Sequence, residues 1–386
     1  MKAMVKRDYK RWILVGLYLG FAFSLNAQET TLFNSQKEKI WKKIAPYFSP
    51  PQEFKDKQDS LRPLNIFYNG DSVSTVQDFS KRQLEIKKRW DSLMGNWPAL
   101  LKKQQLSIID TNEKESYFEY EVKFYWTPTE ETTGYLLVPK TKGKKPAVIT
   151  VFYEPETAIG KGKPNRDFAL QLTKRGFITL SIGTSASSER KEFSLFYPNI
   201  KHAQVQPLSM LAYAAANAYY ALANFPEVSS DKIGIMGHSF GGKWAMFASC
   251  LFDRFACAVW SDPGILFQHD RESINYWEPW YLGYHPKPWR KRGLISKENP
   301  AFGLYPWLIK NGYNLHELHA LMVPRPFLVL GGAEDPPDRW RTLNRIIALN
   351  HRLGYDNRVA MHNRPTHEPN NEANEIAYLF FEYFLK

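Results

Sequence analysis

A serine, a late histidine and several carboxylates are spaced along this chain as a nucleophile, a base and an acid would be. The serine is Ser239, in Gly237-His238-Ser239-Phe240-Gly241. Before it, Lys232 to Met236 is a short apolar run bounded by a turn signal, which reads as a buried strand. After it, Gly242 to Ala248 reads as a helix. A serine on a sharp strand-to-helix turn must take strained backbone angles, and the crowded positions two before and two after favour glycine. That geometry lifts the hydroxyl clear of the sheet and leaves the next backbone N–H free at a helix start.

A serine hydroxyl is a poor nucleophile at neutral pH, so it needs a base within hydrogen-bond reach. The base in turn needs a group that fixes its tautomer and stabilises its cation. His367, in Arg364-Pro365-Thr366-His367-Glu368-Pro369, follows the last predicted strand and precedes the final helix, where a base should hang from a loop. His362 is the nearest rival, and His238 is expected to pack beside the elbow. The acid is expected at Asp335, in the turn after the strand Phe327 to Leu330. Glu334 and Asp338 are close enough to compete, and Asp262, after the preceding strand, is a distinct alternative. Developing negative charge on the attacked carbonyl needs two donors. One is expected to be the backbone N–H of Phe240. The other should come from the loop after Ala147 to Phe152, where Tyr153 stands. Lys243, one helical turn after the serine, either points into the site or supports the loop beneath it.

The elements around these residues follow a pattern. From Pro146 strands and helices alternate: strands at 147–152, 177–182, 232–236, 255–260, 326–330 and 358–361, with helices at 167–175, 204–222, 339–353 and 372–385. Such alternation argues an α/β fold with a mostly parallel central sheet covered by helices on both faces. Sites in such sheets lie at the carboxyl ends of the strands. Residues 105–109, 117–126 and 133–138 read as antiparallel strands ahead of it. Residues 28–100 read as a helical N-terminal extension, with helical spacing at 31–47 and 77–95, and residues 101–386 as the main domain. Residues 263–323 interrupt the alternation and are too long for a simple connection. They read as a cap over the catalytic face, carrying Trp277, Trp280, Tyr281, Tyr284 and Trp289 with Arg290, Lys291 and Arg292. Trp280 and its neighbours suit a saccharide, with aromatic rings on sugar faces and cations on an anionic substituent.

Composition excludes some classes. A hydrophobic share of 44% with 23% charged residues argues against general disorder. Lys2, Lys6, Arg7, Lys10 and Arg11 precede an apolar run from Trp12 to Leu25, and Leu25-Asn26-Ala27 resembles a cleavage site before Gln28. Residues 1–27 therefore read as a secretion signal, which predicts a periplasmic or extracellular protein with no stable membrane span after cleavage. The formal charge of +12 comes with no nucleic-acid motif, so a generally basic surface is expected and no nucleic-acid partner. The two cysteines, Cys250 and Cys257, leave open a bridge or two buried thiols and make no metal-ligand cluster.

Ser239, Asp335 and His367 in this chain order, over about residues 146–386, resemble the α/β-hydrolase superfamily. Within it the chain is similar to secreted bacterial esterases related to acetylxylan and glucuronoyl esterases, and to the dienelactone hydrolase and prolyl oligopeptidase groups. Glucuronoyl esterases carry G-C-S-R-x-G-K at the elbow. Gly237, Ser239, Gly242 and Lys243 match that pattern, while His238 and Phe240 stand where it has Cys and Arg. The resemblance implies a secreted serine hydrolase, without metal or cofactor, that cleaves an ester on a small-molecule or polysaccharide-derived saccharide, including anionic ones. Two rival readings are a prolyl oligopeptidase-like peptidase, which would use the same triad, and a carbohydrate-binding protein on a catalytically inactive hydrolase scaffold.

Overall fold

The computed structural model describes residues 35–184 and 196–386, and the chain divides into two units, Met1–Pro46 and Tyr47–Lys386. The predicted secretion signal, residues 1–27, lies outside the described residues. In the first unit residues 35–44 form a helix.

The second unit is built on strands β1 (Ser107–Glu113), β2 (Tyr117–Tyr125), β3 (Glu131–Pro139), β4 (Lys145–Phe152), β5 (Ile178–Gly183), β6 (Val228–His238), β7 (Cys257–Ser261), β8 (Phe327–Gly331) and β9 (Val359–Asn363). Among the described residues these form one sheet in the order β1-β2-β3-β5-β4-β6-β7-β8-β9. The pairs from β1 to β3, and β3 with β5, are antiparallel; all the others are parallel. β7 and β8 are buried at every position, which is why their sequences show no alternation: helices cover both faces. The exposed β1 sits at the sheet edge.

The helices are α1 (Val76–Met94), α2 (Phe168–Lys174), α3 (Pro207–Ala223), α4 (Phe240–Leu251), α5 (Leu304–Lys310), α6 (His316–Ala320), α7 (Trp340–Arg352) and α8 (Asn371–Leu385). α4 is buried along its whole length, and Ala-rich α3 packs beside it. Small side chains on α3 let the two axes approach closely.

The segment expected as an extension up to residue 100 does not stand apart. The chain divides at Pro46, and residues from Tyr47 onward share one unit with the sheet. α1 starts with a capping box, Thr75 with Asp78, and buries Phe79, Arg82, Ile86, Trp90 and Met94 at three- and four-residue spacing. The fully buried Glu317 of α6 then ties it down, accepting from Trp90 Nε1 at 2.9 Å, Tyr68 Oη at 3.0 Å and Arg62 Nη1 at 3.2 Å. A buried carboxylate is tolerated when its lone pairs are taken up in this way.

Residues 263–323 contribute α5 and α6, and much of the segment is core. Tyr276, Trp277, Leu282 and Leu308 are fully buried, and Arg290 meets the buried Glu278 at 2.8 Å. Most of the aromatic residues that read as cap therefore hold the insertion together.

Candidate active site

Two strand ends and one loop build the site. β6 ends at His238 and α4 begins at Phe240, so Ser239 alone makes the turn. Its φ of 58° and ψ of −113° lie where an L-residue is strained. The flanking glycines are a packing necessity. A β-carbon on Gly237 would land on the Gly241 carbonyl, and one on Gly241 on the Val151 carbonyl. Ser239 N–H donates to Ser261 O at 2.8 Å, which ties the elbow to the end of β7.

Ser239 Oγ lies 2.9 Å from His367 Nε2, and His367 Nδ1 lies 2.7 Å from Asp262 Oδ2. Asp262 is fully buried, while Ser239 and His367 are partly exposed. The arrangement can take a proton from the hydroxyl and stabilise the resulting imidazolium.

The expected acid, Asp335, is corrected to Asp262. The two carboxylates exchange partners across two loops. Asp262 Oδ1 accepts backbone N–H from Gly332 at 2.7 Å, Asp335 at 2.9 Å and Glu334 at 3.2 Å. The turn after β8 thus forms a backbone nest for the acid at the end of β7. In return, Asp335 accepts from Gly264 N at 2.8 Å and Ile265 N at 2.6 Å, fastening the loop that follows Asp262. Burial, and then the charge of Asp262, push the Asp335 carboxyl up to about 6. Glu334 and Asp338 make no contact with His367; Asp338 is exposed and faces Arg339.

Arg364 positions the histidine loop, a role its sequence context did not suggest. Its guanidinium donates to the carbonyls of His367 at 2.7 Å, Glu368 at 2.9 Å and Leu330 at 2.9 Å. A cation in a post-strand loop reads as solvated, and no local pattern distinguishes this buried one.

His238 packs beside the elbow, its ring 4.7 Å from that of His367 and its Nδ1 3.1 Å from Ser261 Oγ. Burial, then His367, hold its imidazole well below the usual histidine range, so it stays neutral. His362 faces Glu372 at 3.7 Å instead of the serine.

Of the predicted substrate-side residues, Phe240 opens α4, where the first backbone N–H groups have no acceptor within the helix. Its ring stacks on that of Tyr153, centroids 4.1 Å apart and planes 10° apart. Tyr153 is 46% exposed and Phe240 is buried, so the tyrosine ring, backed by the phenylalanine, is the one that faces solvent beside the serine. Trp280 is partly buried between Tyr281 and Trp289, one ring behind the Phe240–Tyr281 contact. Of the two placements open to Lys243, it takes the one beneath the loop and does not face substrate. Its side chain is buried, and Nζ donates to Pro263 O at 2.7 Å beneath the insertion. Burial pulls its ammonium down to about 8. Cys250 and Cys257 are free, buried thiols.

A mostly parallel sheet with a serine elbow after its central strand and a histidine after its last defines an α/β-hydrolase. The chain matches the Abhydrolase family over residues 54–375 and belongs to that family. No curated protein matches it by sequence. Among solved structures, it is similar to a glucuronoyl esterase from Solibacter usitatus, with a TM-score of 0.67 and 14% identity over 87% of this chain and 100% of that one. A CE15 glucuronoyl esterase from Teredinibacter turnerae gives 0.61 and 15% over 91% and 100%. A glucuronoyl esterase of carbohydrate esterase family 15 from Caldicellulosiruptor kristjansonii gives 0.59 and 17% over 86% and 93%. At such identities the likeness establishes the fold. Among the described residues no helix is long and apolar enough to cross a membrane.

Proposed function

We propose that this protein is an exported serine esterase that removes an ester-linked substituent from a saccharide. The observation that carries the reading is the continuous chain of contacts from Ser239 Oγ through His367 to Asp262. Ser239 Oγ attacks the ester carbonyl while His367 Nε2 takes its proton. Asp262 stabilises the imidazolium through Nδ1–H. The Phe240 N–H, with a donor from the Tyr153 loop, faces the oxyanion. The tetrahedral intermediate expels the alcohol, which receives the proton from His367. Water, deprotonated by His367, then attacks the acyl-enzyme and releases the acid.

The exposed Tyr153 ring, stacked on buried Phe240, and the aromatic insertion favour a saccharide-borne ester. The structural relatives named above are glucuronoyl esterases. Phe240 stands where the glucuronoyl esterase elbow pattern has arginine, so this chain lacks that side-chain donor at the oxyanion, and an ester other than a glucuronoyl ester is the favoured substrate. The basic start and apolar run at residues 1–27 support export. The test is a panel of acetylated, methyl-esterified and feruloylated glycans beside prolyl and aminoacyl amides, on wild type and Ser239→Ala. Turnover of at least one glycan ester, lost in Ser239→Ala together with fluorophosphonate labelling, is expected. Full esterase activity in Ser239→Ala, or turnover of the amides alone, would overturn the reading.

A further inference from the structure

Asp262 holds a φ of 50°, in the left-handed region, and precedes Pro263. An L-residue keeps such an angle only where its surroundings over-determine it, and a following proline narrows its choices further. The N–H groups of the turn after β8 fix the Asp262 carboxylate. The residues after Asp262 are fixed separately. Asp335 accepts from Gly264 N and Ile265 N at 2.8 and 2.6 Å. The Tyr276 hydroxyl donates to Gly264 O at 2.8 Å and lies 3.3 Å from Pro263 O. The close donor to Pro263 O is Lys243 Nζ, at 2.7 Å.

Lys243 reaches that carbonyl from the first turn of α4, the helix that begins directly after Ser239. The helix and the end of β7 already touch, since a β-carbon on Gly242 would fall 2.8 Å from Ser261 O. One side chain therefore joins the helix behind the nucleophile to the loop behind the acid. It does so as a buried amine, 3% exposed, with the rings of Tyr276 and Tyr281 centred 5.0 and 5.8 Å from Nζ. Burying a cation is costly, and an aliphatic side chain of similar length would fill the same space without that cost. What the cation adds is a charge-assisted bond to the carbonyl of the residue after the strained acid.

We infer that Lys243 is a positioning residue for the catalytic acid: through the Pro263 carbonyl it holds Asp262 in the strained turn that aims Oδ2 at His367 Nδ1. This role rests on the reading of Ser239, His367 and Asp262 as a triad, and it gives Lys243 no contact with substrate.

Lys243→Met keeps the length of the side chain and removes the charged donor. Its kcat on 4-nitrophenyl acetate, with the Ser239→Ala rate subtracted, should fall about 10–100-fold, as a misplacement of about 1 Å implies, while KM barely moves. Added to Asp262→Asn, the same substitution should cost less than about threefold more, because the acid it positions no longer acts. An unchanged kcat in Lys243→Met overturns the inference, as does a loss of equal size in both backgrounds. A second readout needs no turnover. It is the low-field proton resonance of His367 Nδ1–H, assigned by its absence in Asp262→Asn. Burial pulls the Lys243 amine down to about 8. The groups that face it are Asp262, Glu334 and Asp335, the last raised only to about 6, and Tyr276 and Tyr281, raised well above the usual tyrosine range. The resonance should therefore move between pH 7 and pH 10 in wild type, with a midpoint near 8, and hold still in Lys243→Met. A wild-type resonance that does not move over that range overturns the inference, as does one that moves alike in both proteins. Failure of the esterase reading shows differently, as wild type that neither turns over esters nor takes a fluorophosphonate, and the resonance still judges Lys243.

Discussion

Replacing Asp262 by asparagine should disable the base without unfolding the site, and the backbone around the acid says why. An asparagine there has two amide orientations. One places NH₂ at the Oδ1 position, against the N–H groups of Gly332, Glu334 and Asp335. That orientation opposes donors to donors at three points and loses three bonds of about 1 kcal/mol each. The other places NH₂ toward His367 Nδ1, where the carboxylate oxygen lies at 2.7 Å. This second orientation wins. It makes Nδ1 an acceptor, moves the imidazole proton to Nε2, and presents Ser239 with a donor where it needs an acceptor. Loss of the base in this way is worth about 10³–10⁴ in kcat, or about 4–5.5 kcal/mol of barrier. Asp335→Asn has a different signature. Both of its oxygens accept a backbone N–H, from Gly264 and Ile265, so the amide must lose one of them. A loss of about 1–3 kcal/mol in stability follows, with kcat changed less than about tenfold, because Asp335 does not touch His367. The assay is kcat and KM on 4-nitrophenyl acetate together with urea unfolding, for both variants. The reasoning is refuted if Asp335→Asn loses a thousandfold in kcat at wild-type stability while Asp262→Asn keeps its rate.

Three further outcomes are expected. Arg364→Met, which removes the bonds to the carbonyls of Leu330, His367 and Glu368, should lower kcat by about 10–100-fold through misplacement of the imidazole; KM on a small ester should barely move, and Arg364→Lys should recover part of the rate. Burial lowers Lys243 to about 8 from 10.5, so between those values the unfolded chain holds more protons and this residue makes stability rise with pH. Urea unfolding at pH 8 and pH 10 should show a smaller rise in Lys243→Met than in wild type; an equal rise would refute the assignment. Cys250 and Cys257 are buried with their thiol pKa values raised by burial, so a thiol reagent should titrate neither in the native protein and both in guanidinium.

The strand-turn-helix around Ser239 was legible because each part of it is local. An apolar run, a serine between glycines and a helical continuation are adjacent in the chain, and tight packing at Gly237 and Gly241 imposes those residue types directly. The sheet and its alternating helices were legible for a related reason: burial on both faces leaves continuous apolar strands. The tertiary structure alone decided which carboxylate faces His367. Asp262 and Asp335 both follow buried strands and both sit in turns, so their local signals are equivalent. They differ because the backbone after β8 folds its N–H groups around Asp262, while Asp335 is spent on the loop after β7. Lys243 and Arg364 likewise acquired their roles from carbonyls 20 and 34 positions away. Hydrogen bonds of that kind have a backbone N–H or carbonyl at one end, and nearly every residue type carries the same backbone groups, so the sequence does not record which distant position supplies the partner.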